Sequence, residues 1–123
     1  MEFFRFDAEV RREIKQFGSK NVGITPIQRT EGPCSIGCMH FSSESVLGMH
    51  PATCQQLFLV VEGEGWVRVS NGEKFPVHKG VAVYWTPGEE HESGSETGMV
   101  AFVVEGDHLN PLKYLKELEG ITL

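Results

Sequence analysis

Between residues 24 and 104 the chain is a succession of short apolar stretches, each cut off by glycine, proline, asparagine or serine. The stretches fall at 24–29, 35–41, 56–62, 65–70, 74–78, 81–85 and 99–105. Segments rich in β-branched and aromatic residues at so regular a spacing predict strands of a sandwich or barrel. Two of them, 57–61 and 81–85, are apolar at every position. Successive strand residues point to opposite faces, so both faces must be buried, which requires a closed or double-layered sheet. Asn71-Gly72 predicts a type I′ hairpin turn, and Glu62-Gly63-Glu64-Gly65 a second tight reversal.

The two ends carry a different period. Val10, Ile14 and Phe17 form a helical stripe over about 8–17, with Asp7 as its cap, Gly18 as its stop and Arg11, Arg12 and Lys15 facing water. Ahead of it, Phe3, Phe4 and Phe6 make an arm that must pack on its own barrel or on a partner subunit. Asn110-Pro111 opens a second helix over about 111–119, with Leu112, Leu115 and Leu118 on one side and Gly120 behind it. No repeat, low-complexity tract or linker divides the chain. It reads as one domain over 1–123, with an arm and helix in 1–19 and a barrel over about 22–106.

At 123 residues such a domain buries enough surface for a core without staples. A net charge of −6 with no basic cluster excludes nucleic acid as a partner. No apolar run approaches the roughly 20 residues of a membrane helix, and Glu2, Arg5, Asp7, Glu9, Arg11 and Arg12 break any secretory signal. Cys34, Cys38 and Cys54 are an odd set with no second Cys/His pair to complete a structural zinc spacing, so they read as reduced, buried small hydrophobes. A cytoplasmic protein is expected.

Of five histidines, two stand out. His50 lies six residues ahead of Gln56, at the head of the most apolar strand, and His91 follows the Thr86-Pro87-Gly88 turn that ends residues 81–85. In an extended segment His50, Ala52, Cys54 and Gln56 share one face, although Pro51 interrupts it. His40 shares a face with Ile36 and Cys38 and is a candidate for the barrel interior. His78 and His108 sit in turn-like surroundings that face solvent. Among the aromatic residues, Tyr84 and Trp85 are the candidates for pocket contact, next to the turn that leads to His91.

The order of these two segments resembles the cupins. Residues 50–65, with Gln56-Leu57-Phe58-Leu59-Val60-Val61-Glu62-Gly63-Glu64-Gly65, are similar to the first cupin motif, and residues 80–91, ending Thr86-Pro87-Gly88-Glu89-Glu90-His91, to the second. The resemblance implies an all-β, antiparallel jelly-roll barrel, here with a short helix at each end. It further implies a homodimer and a divalent metal in the barrel mouth, held by two histidines one residue apart, a glutamate and a third histidine. His50 matches the first histidine and His91 the third. Ala52 stands at the second, Gln56 at the glutamate and Ser95 at a closing asparagine, while Pro87 is displaced by one.

The resemblance thus implies metal ligands His50, Gln56 and His91, with Ala52, Cys54, His40, Tyr84 and Trp85 around them. It does not distinguish Zn, Fe, Mn or Ni, and it calls for no nucleotide cofactor. An amide oxygen leaves a divalent charge uncompensated, so a weakly held metal is expected unless Glu89, Glu90, Glu92, Glu44 or the Cys54 thiolate turns in. Three functions follow. One is small-molecule binding around that metal, with dioxygenase- or isomerase-like chemistry. The alternative is a non-enzymatic, metal-free small-molecule binder. The third is an epimerase-like site with a histidine base, against which arginines for phosphate are scarce: Arg29 and Arg68 are the barrel candidates.

Overall fold

The computed structural model of the chain, which describes residues 1–21 and 23–120, arranges the β-rich centre as two antiparallel layers that share one long strand. In chain order the strands are β1 (Glu2–Arg5), β2 (Arg12–Glu13), β3 (Gly23–Ile24), β4 (Cys34–Phe41), β5 (Ser45–Pro51), β6 (Gln55–Val69), β7 (Phe75–His78), β8 (Val81–Trp85), β9 (Glu90–Ser95), β10 (Met99–Gly106) and β11 (Lys116–Glu117). A single-turn helix α1 (Pro111–Tyr114) precedes β11. One layer runs β11-β1-β8-β6-β10-β4 and the other β5-β9-β6-β7, while β2 and β3 pair as a separate ribbon. This is the expected antiparallel jelly roll, with open strand edges rather than a closed ring. The expected barrel start at residue 22 lies outside the described residues.

The strands that are apolar on both faces are explained by two cores. Phe58, Val60, Val81, Val83 and Trp85 point between the layers, where they meet Phe41, Val67, Val77, Met99, Ala101 and Val103. Leu57, Leu59, Ala82 and Tyr84 point the other way, into a second core with Phe4, Val104, Leu109 and Leu115. Each such side chain stabilises the fold by about 1.5–3 kcal/mol on leaving water. Alternation therefore persists in β6 and β8, with apolar residues on both sides of it.

The expected reversal at residues 62–65 does not occur. β6 runs straight through it for 15 residues and passes from one layer to the other. Its register against β10 slips between Val100 and Ala101, a bulge that bends the strand at the crossing point. The glycines there serve close approach: a Cβ on Gly63, which has φ +77°, would lie 2.2 Å from the Gly98 carbonyl oxygen, and one on Gly65 2.2 Å from that of Gly94. The expected hairpin does form, with β7 folding back on β6. Its turn is closed by the Gly72 N–H donating to the Val69 carbonyl at 3.0 Å, and Ser70, at φ +48°, takes the left-handed conformation that a type I′ turn would have placed on Asn71 and Gly72.

The ends depart furthest from expectation. Residues 8–17 form no α-helix, only 3-10 turns at Ala8–Val10 and Gln16–Gly18 flanking β2. The stripe is not buried as one face: Phe17 is 96% exposed, while Val10 and Ile14 are half-buried. Asp7 does not cap; its carboxylate accepts two hydrogen bonds from Arg5, at 2.8 and 2.9 Å, which hold its pKa below the usual carboxylate value. The aromatic arm is β1, on its own barrel: it pairs with β8 and sends Phe3 into one core and Phe4 into the other. At the other end the helix stops after one turn, because residues 116–117 extend to pair with β1. Leu115 is buried there and Leu112 stays exposed. Residues 24–29 contribute to a strand only at Ile24. No helix of the described residues is long and apolar enough to cross a membrane.

Candidate functional site

β5 and β9 lie side by side in the smaller layer, and their register sets His50 opposite His91. The two ring centroids are 4.5 Å apart, with the planes at 56°. Each ring is fixed by its own backbone. Nδ1 of His50 is 2.6 Å from the Gly48 carbonyl, and Nδ1 of His91 is 3.0 Å from that of Glu89. A carbonyl only accepts, so Nδ1 carries the proton on both rings. Nε2 is the nitrogen that remains for other chemistry.

The His91 ring also lies on the Trp85 indole, centroid to centroid 4.0 Å at 19°, and Trp85 rests against Phe58 at 5.6 Å. His91 is 2% exposed. Burial pushes its pKa below the ordinary histidine value; the hydrogen bond to the Glu89 carbonyl opposes this, and the nearby His50 adds to it. The Trp85 Nε1–H is buried and has no hydrogen-bond partner among the described residues. Buried donors are nearly always satisfied, which makes this one an exception on the wall of the site.

Gln56 starts the inward face of β6, opposite Trp85 on one side and Glu105 of β10 on the other. Its side-chain amide donates to the Glu105 carboxylate. His50, Gln56, Trp85, His91 and Glu105 converge on one cavity of about 250 Å³, whose remaining wall is Ser35, Gly37, Met39, Leu47, Ser93 and Val103. Glu105 is the residue that sequence reasoning missed. Its signal was there: Met99, Ala101 and Val103 are buried in the inter-layer core, and two-residue alternation carries position 105 to the same side.

The other expected pocket residues lie elsewhere. Ala52 is buried in the inter-layer core, with its backbone bonded to Gly88 and Glu89. Cys54 is half-buried and lies outside the cavity lining. Tyr84 points into the opposite core, where its hydroxyl accepts a hydrogen bond from Gln55. His40 is exposed on the outer side of β4, 3.6 Å from the Cys38 sulfur, and borders a wider depression of about 830 Å³ at the far end, shared with Glu62, Glu64, His78 and Lys79. Cys34 and Cys38, expected buried, are exposed, because the outer face of β4 is uncovered.

The donor set does not fit a metal centre as it stands. Among the described residues no three His, Cys, Asp or Glu side chains come close enough together to hold an ion. Two imidazoles meet, the carboxylate that could join them is hydrogen-bonded to Gln56, and Glu89, named above as a substitute ligand, instead accepts from the N-terminal ammonium at 2.8 Å. Glu92 is likewise engaged, by Arg68 at 2.8 Å.

Comparison with known proteins places this geometry in context. Residues 40–106 match the family model described as "Cupin domain". None of the curated proteins compared matches the sequence. Among solved structures, one similar chain is an RmlC-like cupin family protein with a double-stranded β-helix fold from Methanocaldococcus jannaschii, at 16% identity and a TM-score of 0.57, covering 85% of this chain and 93% of that one. A cupin superfamily protein from Desulfitobacterium hafniense superposes at 10% identity and TM-score 0.56, over 71% of this chain and 79% of the other. A protein of unknown function from Rhizobium leguminosarum bv. viciae shares 25% identity at TM-score 0.56, over 63% and 74% respectively.

Proposed function

The chain belongs to the cupin domain family, and from that premise we propose that it is a small-molecule-binding cupin whose ligand sits against His50 and His91. The observation that carries this reading is the pair of imidazoles, each locked through Nδ1 to a main-chain carbonyl and each bordering the cavity between the layers. Rings held in this way are pre-organised: a ligand that hydrogen-bonds to Nε2 immobilises no further side chain there. The apolar half of the wall, from Leu47, Met39, Trp85 and Val103, supplies contact area, and a few polar groups fix orientation.

Metal-dependent chemistry is the second reading, and Glu105 is what favours it. Two histidines and one carboxylate are a known ligand set for divalent ions, and here all three border one cavity. It requires the Glu105 carboxylate to move toward the two imidazoles, since among the described residues no three such side chains lie close enough together to hold an ion. Ligand binding without metal requires no such rearrangement, which puts it first.

A fragment library screened by amide and indole NMR on the full chain tests the first reading. Binders should move the His50, His91 and Trp85 signals together. Binders that move only residues around His40 and His78, at the wide end, would overturn it.

A further inference from the structure

Resting on that reading, we infer that the cavity selects a small organic cation, an ammonium or amidinium, and that Glu105 is the residue that selects it. Among the described residues Glu105 is the one acidic side chain of the cavity lining, and no lysine or arginine lines it. The carboxylate is half-buried and forms no ion pair among the described residues. Gln56 engages one oxygen, Oε1, and Oε2 has no hydrogen-bond partner among the described residues. An ionised carboxylate offers about four acceptor sites. A negative group shielded from water on one side, with no cation beside it, attracts a positively charged donor.

The rest of the lining agrees. Gln56 donates its amide to Glu105, which leaves its carbonyl oxygen as an acceptor, and the histidines present Nε2, an acceptor in the neutral ring. The polar wall is therefore rich in acceptors, the complement of an N–H-rich cation. An anion would meet the Glu105 charge with no counter-charge near it, in a chain whose net charge is already −6. Size sets the other limit. At about 250 Å³ the cavity is below the 300–1,000 Å³ typical of drug-sized ligands, so the occupant is a compact molecule with its apolar part on Trp85 and Val103.

The experiment is a matched series titrated into the full chain after chelator treatment: benzylamine, benzyl alcohol and benzoate, with Zn²⁺ and Mn²⁺ alone as a separate arm. Calorimetry gives affinities, and the His50, His91 and Trp85 signals report the site. Benzylammonium should bind about tenfold or more tighter than the alcohol, as expected of a charge-assisted hydrogen bond, with benzoate weakest. Glu105→Gln should reduce that preference to less than about threefold. Equal affinity for all three probes, or an ammonium preference that survives Glu105→Gln, overturns the inference and leaves the binding site standing. Metal ions that move these signals and abolish the ammonium preference overturn it in favour of a metal. If no probe moves the three signals, the binding reading itself fails. Should Glu105→Gln not fold, the ranking of the three probes on the wild-type chain decides.

Discussion

The two ends of the jelly roll carry similar residue types and use them in opposite ways. At one end His50 and His91 are hydrogen-bonded to the main chain, stacked in a row with Trp85, and share a cavity of about 250 Å³ with Glu105. At the other, His40, His78, Glu62 and Glu64 border a depression of about 830 Å³, with His40 and His78 both exposed. Among the described residues His78 bonds only to the adjacent Lys79 carbonyl, and His40 only to a sulfur at 3.6 Å. The larger hollow is the less organised one. Volume and residue inventory do not make a site; fixed rings and excluded water do.

The largest test of this contrast is Trp85→Ala. It removes the platform beneath His91 and the contact with Phe58, and leaves a void between the layers. Truncation of a buried aromatic of this size costs about 3–5 kcal/mol, which chemical denaturation would measure as a lower midpoint. Probe binding at His50 and His91 should be lost under conditions where the variant is still folded. A loss below about 1 kcal/mol would mean that the stack is not what holds the small end together.

A smaller effect comes from protons. Burial lowers the pKa of His91 from 6.5, so below that value the unfolded chain binds a proton that the folded chain resists. The contribution of His91 to stability is therefore full above about pH 6.5, and is lost as pH falls through the lower, folded-state pKa. Denaturation midpoints measured from pH 8 downward should show this slope in the wild type and a shallower one in His91→Gln. An unchanged slope in the variant would show that His91 titrates as an ordinary exposed histidine.

How much of this was legible in the chain differs between its regions for physical reasons. Leu57, Phe58, Leu59 and Val60 announced a strand with two buried faces, because no solvent-facing geometry tolerates four successive large apolar residues. β9 was invisible: Glu90–Ser95 reads EHESGS, without one β-branched or aromatic residue, and it is a strand because β5 and β6 flank it. Its Gly94 has a tertiary reason that local sequence does not reveal, since a Cβ there would lie 2.6 Å from the Trp66 ring. The same holds for the ends. The stripe of Val10, Ile14 and Phe17 has helical spacing, but a helix needs a surface that buries its whole stripe, and here Val10 and Ile14 are only half-buried and Phe17 is left in solvent. In the site, the two motif histidines were legible by position; the alternation of Met99, Ala101 and Val103 gave the face of Glu105, and only its pairing with Gln56 needed the register of β10 against β6.

The smallest expected effect lies at the wide end, and it is the sharpest test of the contrast because it predicts almost nothing. His78→Ala and His40→Ala each remove an exposed ring whose contacts are with close neighbours in sequence. Substitutions at exposed positions without buried partners usually fall within about 0.5 kcal/mol, so both midpoints should stay close to wild type. Neither variant should alter probe binding at His50 and His91, since His40 and His78 border the other depression. Two outcomes would break the comparison. A loss above about 1 kcal/mol in His40→Ala would show that the 3.6 Å contact with Cys38 stabilises the outer face of β4. A change in probe affinity would mean that the two ends communicate along β6, which borders both hollows through Gln56 at one and Glu62 to Glu64 at the other. The bulge opposite Val100 and Ala101 would then be the place to intervene, because β6 bends there between the layers.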